Sequence, residues 1–342
     1  MKALFYPSYG ELVVNEQPVP EYNDNEVLLQ VSACGICGSE LETFAKKSPR
    51  RKPPIIMGHE FCGIILEKGA AVEGWAPGTR VVSNSVISCG DCVRCRGGKT
   101  NLCAGRKIFG MERNGAFAEF VNVPARCLVE APSNLSSAAA CLAEPLANGV
   151  HMVELTRHIP LKRILVIGAG PIGLMAQQAF QVLRGASVIV ADLKEGRLET
   201  ARKLGAEHVF NSGKGSLEDE IMSLTSGEGV DLVIDAVGMA ITNRQALNVV
   251  GTGGAVILIG LHENSSSLYS YDIILSEKKV MGSYAANLDD ISSALQLMAD
   301  QKVDVTSWVN YYSLQDGEKA FRNMMLAEGT HIKSVLLIHK DI

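Results

Sequence analysis

The sequence has no excess of positive charge. Its 342 residues carry 32 Lys and Arg against 37 Asp and Glu, a formal net charge of −5. Binding to nucleic acid over a broad face needs a basic surface, so that class of partner is not expected. The opening MKALFYPSYGELVV has no long apolar core ahead of its first acid, so it does not read as a signal peptide. Residues 164–183 form an uncharged run of 20, long enough to raise the question of a membrane span. That run contains Gly168, Gly170, Pro171 and Gly173, then Gln177, Gln178 and Gln181, and reads better as strand, glycine turn and helix. No membrane association is expected, and the reading is of a soluble cytoplasmic protein. Repeats at solenoid periods are absent. A content of 47% hydrophobic and 20% charged residues excludes low-complexity disorder and can fill a sizeable core. At roughly 150 residues per domain, the length suggests two domains.

The first 150 residues are strand-like and rich in loops, with EVLLQVSA (26–33) as the clearest strand. From about Pro160 the rhythm changes. ILVI (164–167) is followed by a glycine turn, a helical stretch at 174–184 stopped by Gly185, and SVIVAD (187–192). Helices are expected at 196–205 and 241–250, and strands at 208–210, 231–238 and 255–261. Such alternation implies α/β architecture around a parallel sheet covered on both faces. The style changes again near the end. Residues 289–301 place Ile291, Leu295 and Met298 on one helical face, and KSVLLI (333–338) reads as a last strand.

Gly168-Ala169-Gly170-Pro171-Ile172-Gly173 follows a buried strand and opens a helix, and Asp192 lies 19 residues beyond at the end of the next strand. This is the full context of a dinucleotide fingerprint. Gly168 makes the tight turn, Gly170 admits a pyrophosphate to the backbone, and Gly173 lets helix and strand pack closely. The unpaired N–H groups of the helix N-terminus then face the phosphates, and Asp192 accepts from the ribose hydroxyls.

Nine cysteines is an odd count, and four of them lie in residues 89–103. Clustered cysteines without a secretion signal favour metal over disulfides and a reducing cytosol. Cys89, Cys92, Cys95 and Cys103 are spaced C-x2-C-x2-C-x7-C, which lets four thiolates close a tetrahedron around zinc with no position open. A bacterial iron–sulfur run has a shorter last spacing followed by Pro, whereas Ala104 follows Cys103 here. Cys37, His59, Glu60 and Glu144 are further donors, but none of their spacings identifies a site by itself.

Six motifs in order, CGICGSE (34–40), GHE (58–60), the four-cysteine loop, NGAFAEF (114–120), AEPLA (143–147) and VIGAGPIG (166–173), span most of the chain. On these the sequence resembles the zinc-dependent medium-chain dehydrogenases, on the sorbitol, threonine and polyol-phosphate side of that family. The resemblance implies a GroES-like, mostly β catalytic domain over 1–149 and 287–342, around a Rossmann NAD-binding domain over 150–286. It implies two zinc ions per chain. Cys37, His59 and Glu144 match the ligands of the catalytic ion, with Glu60 an additional or exchanging ligand, and the cysteine loop matches the structural ion. Cys141, though near Glu144, does not fall on the ligand position, and Cys34, Cys62, Cys127 and Cys141 read as small buried residues. The resemblance places Pro171, Ile172, Arg197, Ile259, Gly260, Leu261, Ser283 and Tyr284 along NAD with the glycines and Asp192. Two positions depart from the family pattern. Glu40 stands where Asp usually orients the ligating His, and Glu42 stands where the family commonly has His.

The implied reaction is NAD-linked interconversion of a secondary alcohol and its ketone, with Ser39 passing the hydroxyl proton outward. A threonine-type amino-alcohol dehydrogenase is the alternative, and a non-catalytic nucleotide sensor or zinc scaffold is the reading from another class. Sorbitol is disfavoured, because the residues that grip it in the family correspond to Thr43, Ala285 and Ala286 here. Lys46, Lys47, Arg50, Arg51 and Lys52 form a basic loop before His59 that suits an anionic substrate such as a polyol phosphate. A homodimer or homotetramer is expected, with 255–261 and the strand near Val280–Tyr284 as the candidate edge.

Overall fold

In the computed structural model, which describes residues 1–46, 50–326 and 331–339, with Lys46 described by its backbone alone, the change of rhythm in the sequence coincides with a change of architecture. Met1–Ala147 and the described residues from Ala285 onward form one unit, and Asn148–Tyr284 form the other. The borders read from the sequence, after 149 and after 286, stand two residues further along in each case.

The first unit is built on the strand Glu26–Gly35, buried at all but one of its ten residues. Its β-branched and aliphatic side chains suit a surface packed on both faces. It pairs antiparallel with Glu60–Lys68, opposing Gly35 to Glu60, and with Lys333–Leu337, opposing Gly35 to Val335. Three segments remote in sequence therefore meet at Gly35. Edge-to-face rings, Phe61 on Phe109 and Phe117 on Phe321, pack the core beside this sheet. Each fully buried ring of this size contributes about 1.5–3 kcal/mol.

The second unit is a six-stranded sheet with every pair parallel, in the order His208–Asn211, Ser187–Asp192, Arg163–Ile167, Val230–Asp235, Val250–Leu258, Lys279–Gly282. This order reverses direction between Arg163–Ile167 and Val230–Asp235, the point at which doubly wound sheets bind ligands beyond their strand ends. Leu165, Ile167, Ile189, Val233 and Val256 fill its core. The helix expected from 174 begins at Pro171, whose fixed φ suits a first helical position, and ends at Gly185 with φ +60°. The segment 255–261 is not an edge: Val250–Leu258 lies between two strands, and the nearer edge is Lys279–Gly282. Among the described residues no helix is long and apolar enough to cross a membrane.

Candidate metal centres and dinucleotide site

The cysteine loop folds as its spacing demands. A four-residue helix, Val93–Arg96, turns Cys92 and Cys95 toward each other with sulfurs 3.5 Å apart. The sulfurs of Cys89 and Cys95, and of Cys92 and Cys103, are each 3.9 Å apart. A tetrahedron of thiolates at the Zn–S distance of about 2.3 Å has edges of about 3.8 Å. The four donors thus fit zinc, with no position left for a substrate. Hydrogen bonds from the Cys95 backbone hold the Cys92 thiol down at about 6, toward the thiolate a metal needs.

The second donor group forms where strands converge. Cys37 follows the strand Glu26–Gly35, and Glu60 opens the strand Glu60–Lys68 with His59 just before it. Donor atoms of Cys37, His59 and Glu60 all lie within 4.8 Å of one another. One sulfur, one imidazole and one carboxylate make a set that suits zinc with a position open. Glu144, in the first turn of the helix Ala143–Leu155, is buried beside this group but is not within it. Burial pushes the Glu144 carboxyl up, against the pull of His59, and Glu60 pushes it further.

Glu40, one methylene longer than the Asp of the family pattern, still reaches both segments. It is fully buried, and one oxygen takes the Gly58 N–H at 2.8 Å and meets His59 Nδ1 at 3.0 Å. Its other oxygen takes the Cys37 N–H at 3.0 Å. One carboxylate therefore holds both donor-bearing segments. Burial alone would raise its carboxyl, but the charge and hydrogen bond of His59, Arg51 and the Cys37 N–H bring it down to about 2.

Lys333 is a partner the sequence reading missed. It is 1% exposed, forms a buried ion pair with Glu60, and donates to the Ile36 carbonyl at 2.9 Å. Burial pulls its amine down, but Glu60, Cys37 and Cys141 together raise it above its ordinary value. The only sequence signal was a charge at the head of an apolar final strand. A Cβ on Gly35 would lie 2.3 Å from Glu60 Oε2, so a side chain there would push the Glu60 carboxylate out of its present place.

The basic loop does not present five free cations. Arg51 is 1% exposed and points inward, and Arg50 pairs with Glu42 at 3.1 Å. Lys52 is exposed, while Lys47 and the side chain of Lys46 lie outside the described residues. Thr43 is buried, with its hydroxyl turned to the Ser39 carbonyl at 3.0 Å, and Ala286 is buried as well. Ser39 itself is half-buried.

In the second unit the glycine turn carries open space at the position that matters. A Cβ on Gly170 would meet nothing within 4 Å, whereas one on Gly173 would sit 1.8 Å from the Gly168 carbonyl oxygen and one on Gly168 2.7 Å from Val237 Cγ2. Gly168 also has φ +99°, a conformation that excludes most side chains. The 14-residue helix from Pro171, with Ile172 in its first turn, directs its free N–H groups beyond Gly170. Asp192 accepts from Ala169 N–H at 2.7 Å and Lys194 N–H at 2.8 Å, with Arg197 Nη1 3.7 Å away. Among the described residues, Arg197 Nε and the Ser283 hydroxyl are buried without partners, as donors to a bound ligand would be. Ile259 and Gly260 donate to the Asp235 carbonyl, and Gly260 packs back-to-back on Gly238, so the turn beside the sheet is built by close backbone approach. Leu261 is exposed, and Tyr284 closes the unit. These residues fit a dinucleotide.

Residues 23–133 match the family model of the alcohol dehydrogenase GroES-like domain, and residues 171–300 that of the zinc-binding dehydrogenases. A D-arabitol-phosphate dehydrogenase of Enterococcus avium is 34% identical over 96% of this chain and 95% of its own. An L-threonine 3-dehydrogenase of Bacillus velezensis is 33% identical over 90% of each chain. The crystal structure of a zinc-binding dehydrogenase from Sinorhizobium meliloti, bound to NADP, superposes with a TM-score of 0.90 at 31% identity and 98% coverage of both chains.

Proposed function

The chain belongs to the zinc-containing alcohol dehydrogenase family, and we propose that it interconverts the secondary alcohol of a polyol, free or phosphorylated, and the matching ketone, using NAD. The observation that carries this reading is the convergence of Cys37, His59 and Glu60 within 4.8 Å, in a chain that also folds a separate closed set of four thiols. Bound zinc supplies a Lewis acid that acidifies the substrate hydroxyl, and bound NAD supplies the hydride acceptor. The chain's residues position and move the proton. Glu40 holds His59 through Nδ1, which leaves Nε2 as the donor for a metal. Ser39, two residues from Cys37, accepts the hydroxyl proton and passes it outward. Alcohol and NAD⁺ thus yield ketone, NADH and one proton. Glu42, paired with Arg50, stands at the outer end of that route in place of His.

The E. avium relative supports a polyol phosphate, and the threonine dehydrogenase relative supports L-threonine as the second reading. An NADH-formation panel of free polyols, their phosphates, threonine and simple secondary alcohols, run at low and high salt, separates them. A polyol or polyol phosphate is expected to give the highest kcat/KM. With Arg51 buried and Arg50 paired, the anionic preference rests on less charge than the sequence suggested. A kcat/KM for phosphorylated substrates that is no higher, or is insensitive to salt, refutes that preference. Sorbitol as the best substrate refutes the argument from Thr43, Ala285 and Ala286, and threonine as the best substrate favours the second reading.

NAD rather than NADP is assigned from Asp192, whose carboxylate would meet the 2′-phosphate as like charge. Arg197 beside it softens the penalty. Asp192→Ala is expected to narrow the NAD preference about tenfold, a change of about 1.4 kcal/mol. Equal turnover of the unchanged protein with both cofactors would refute the assignment. We further propose a homodimer or homotetramer that pairs through the sheet edge Lys279–Gly282, where Ile274, Leu275 and Val280 are exposed nearby. Sedimentation as a monomer at working concentration counts against it. The nine free cysteines suit a reducing cytoplasm.

A further inference from the structure

Arg51 has an unusual setting for a residue in a run of basic residues. Its guanidinium is buried, and no carboxylate lies within 4.0 Å of it among the described residues. Nη1 donates to the Ser39 carbonyl and to the Thr43 hydroxyl, both at 3.0 Å. Nε donates to the carbonyl of Gly110, and Nη2 has no partner among the described residues. A buried cation with an unsatisfied nitrogen costs stability, and a residue serving only to close a loop need not carry that cost.

The partners of Arg51 lie on the two sides of the candidate metal centre. Ser39 and Thr43 belong to the helix Gly38–Lys46, which follows Cys37 directly and carries Glu40. Gly110 packs on the other side: a Cβ there would stand 3.0 Å from Gly58 N, the residue before His59. The same helix is also held where Tyr6 Oη donates to the Thr43 carbonyl at 3.3 Å. We propose that Arg51 is a positioning residue which ties the Cys37 segment to the His59 segment and so sets the separation of their metal-donor atoms. Glu40 bridges these segments at one point, through Cys37 N–H, Gly58 N–H and His59 Nδ1. Arg51 links them at a second, indirectly, through Gly110, which packs on Met57 and Gly58. Two braces fix an angle as well as a distance, which a tetrahedral ion requires.

This inference rests on the reading of Cys37, His59 and Glu60 as a zinc site, so its test reports on metal rather than turnover. The full-length protein is loaded with zinc or cobalt(II). Metal release to dipicolinate and the cobalt visible spectrum are compared for the unchanged protein, Arg51→Lys, Arg51→Met and the milder Thr43→Val. Arg51→Met is expected to release the labile ion about 10- to 100-fold faster, the usual effect of losing an outer-shell partner. Its cobalt bands should shift, while the ion of the four-cysteine loop stays bound. Arg51→Lys should fall between, because an ammonium cannot span both sides as a planar fork does. Thr43→Val should move release in the same direction by a smaller factor, which keeps the test alive if Arg51→Met fails to fold. Unchanged release and spectrum in the variants, even with a lower Tm, would overturn the positioning role and leave the zinc reading standing. An unchanged protein that binds no labile ion would overturn both.

Discussion

Dipicolinate is expected to strip one zinc of two from this protein, and with it about a thousandfold of the dehydrogenase activity. The magnitude follows from the several kcal/mol that a Lewis acid contributes to an alcohol oxidation, at about 1.4 kcal/mol per factor of ten. The labile ion is assigned to Cys37, His59 and Glu60, a set with a position open to a chelator. The retained ion is assigned to the four-cysteine loop, whose sulfurs already stand at tetrahedral separations. Cys37→Ser should reproduce the loss with the fold intact, and Cys103→Ser should instead remove the retained ion and destabilise the loop, because binding energy in a closed site is folding energy. Elemental analysis decides the matter. A single zinc per chain, or iron with sulfide, would sink the assignment of both centres.

In the zinc-free protein, Lys333→Met is expected to cost about 3–5 kcal/mol of stability, the typical penalty for leaving one member of a buried ion pair without its partner. Glu60 and Lys333 are 1% exposed each, so water cannot take the place of the missing charge. Adding Glu60→Gln to Lys333→Met should recover much of the loss, since the uncompensated charge disappears while the shape remains. Denaturant melts of the four proteins of this cycle measure the coupling, and a coupling below about 1 kcal/mol would refute the pair's role. The sign with pH is set by the raised folded-state value of Lys333. Its contribution is present in full below 10.5 and is lost only as pH rises beyond the folded value. Neutral and mildly acidic conditions therefore leave this amine charged.

The glycine turn and the cysteine loop could be read from the sequence because each is a local device. Four thiols within 15 residues need only one short helical turn to converge, and Gly168, Gly170 and Gly173 act on the strand and helix that flank them. Helix and strand periodicity gave the alternation of a parallel sheet, with shifts of a few residues where Pro171 could start a helix earlier. The donors Cys37, His59 and Glu60 were recognisable only through a family pattern, since nothing in their spacing brings them together. Sheet register does that, by opposing Gly35 to Glu60 across one pair of strands and to Val335 across another. Lys333 meets Glu60 across 273 residues of chain, and no periodicity reports such a distance. In the sequence Arg51 groups with its basic neighbours as a charge for an anionic substrate, yet its side chain turns inward to Ser39, Thr43 and Gly110. Local turn chemistry and residue period are written in consecutive residues, whereas which buried charge faces which depends on the pairing of strands that the chain brings together only when it folds.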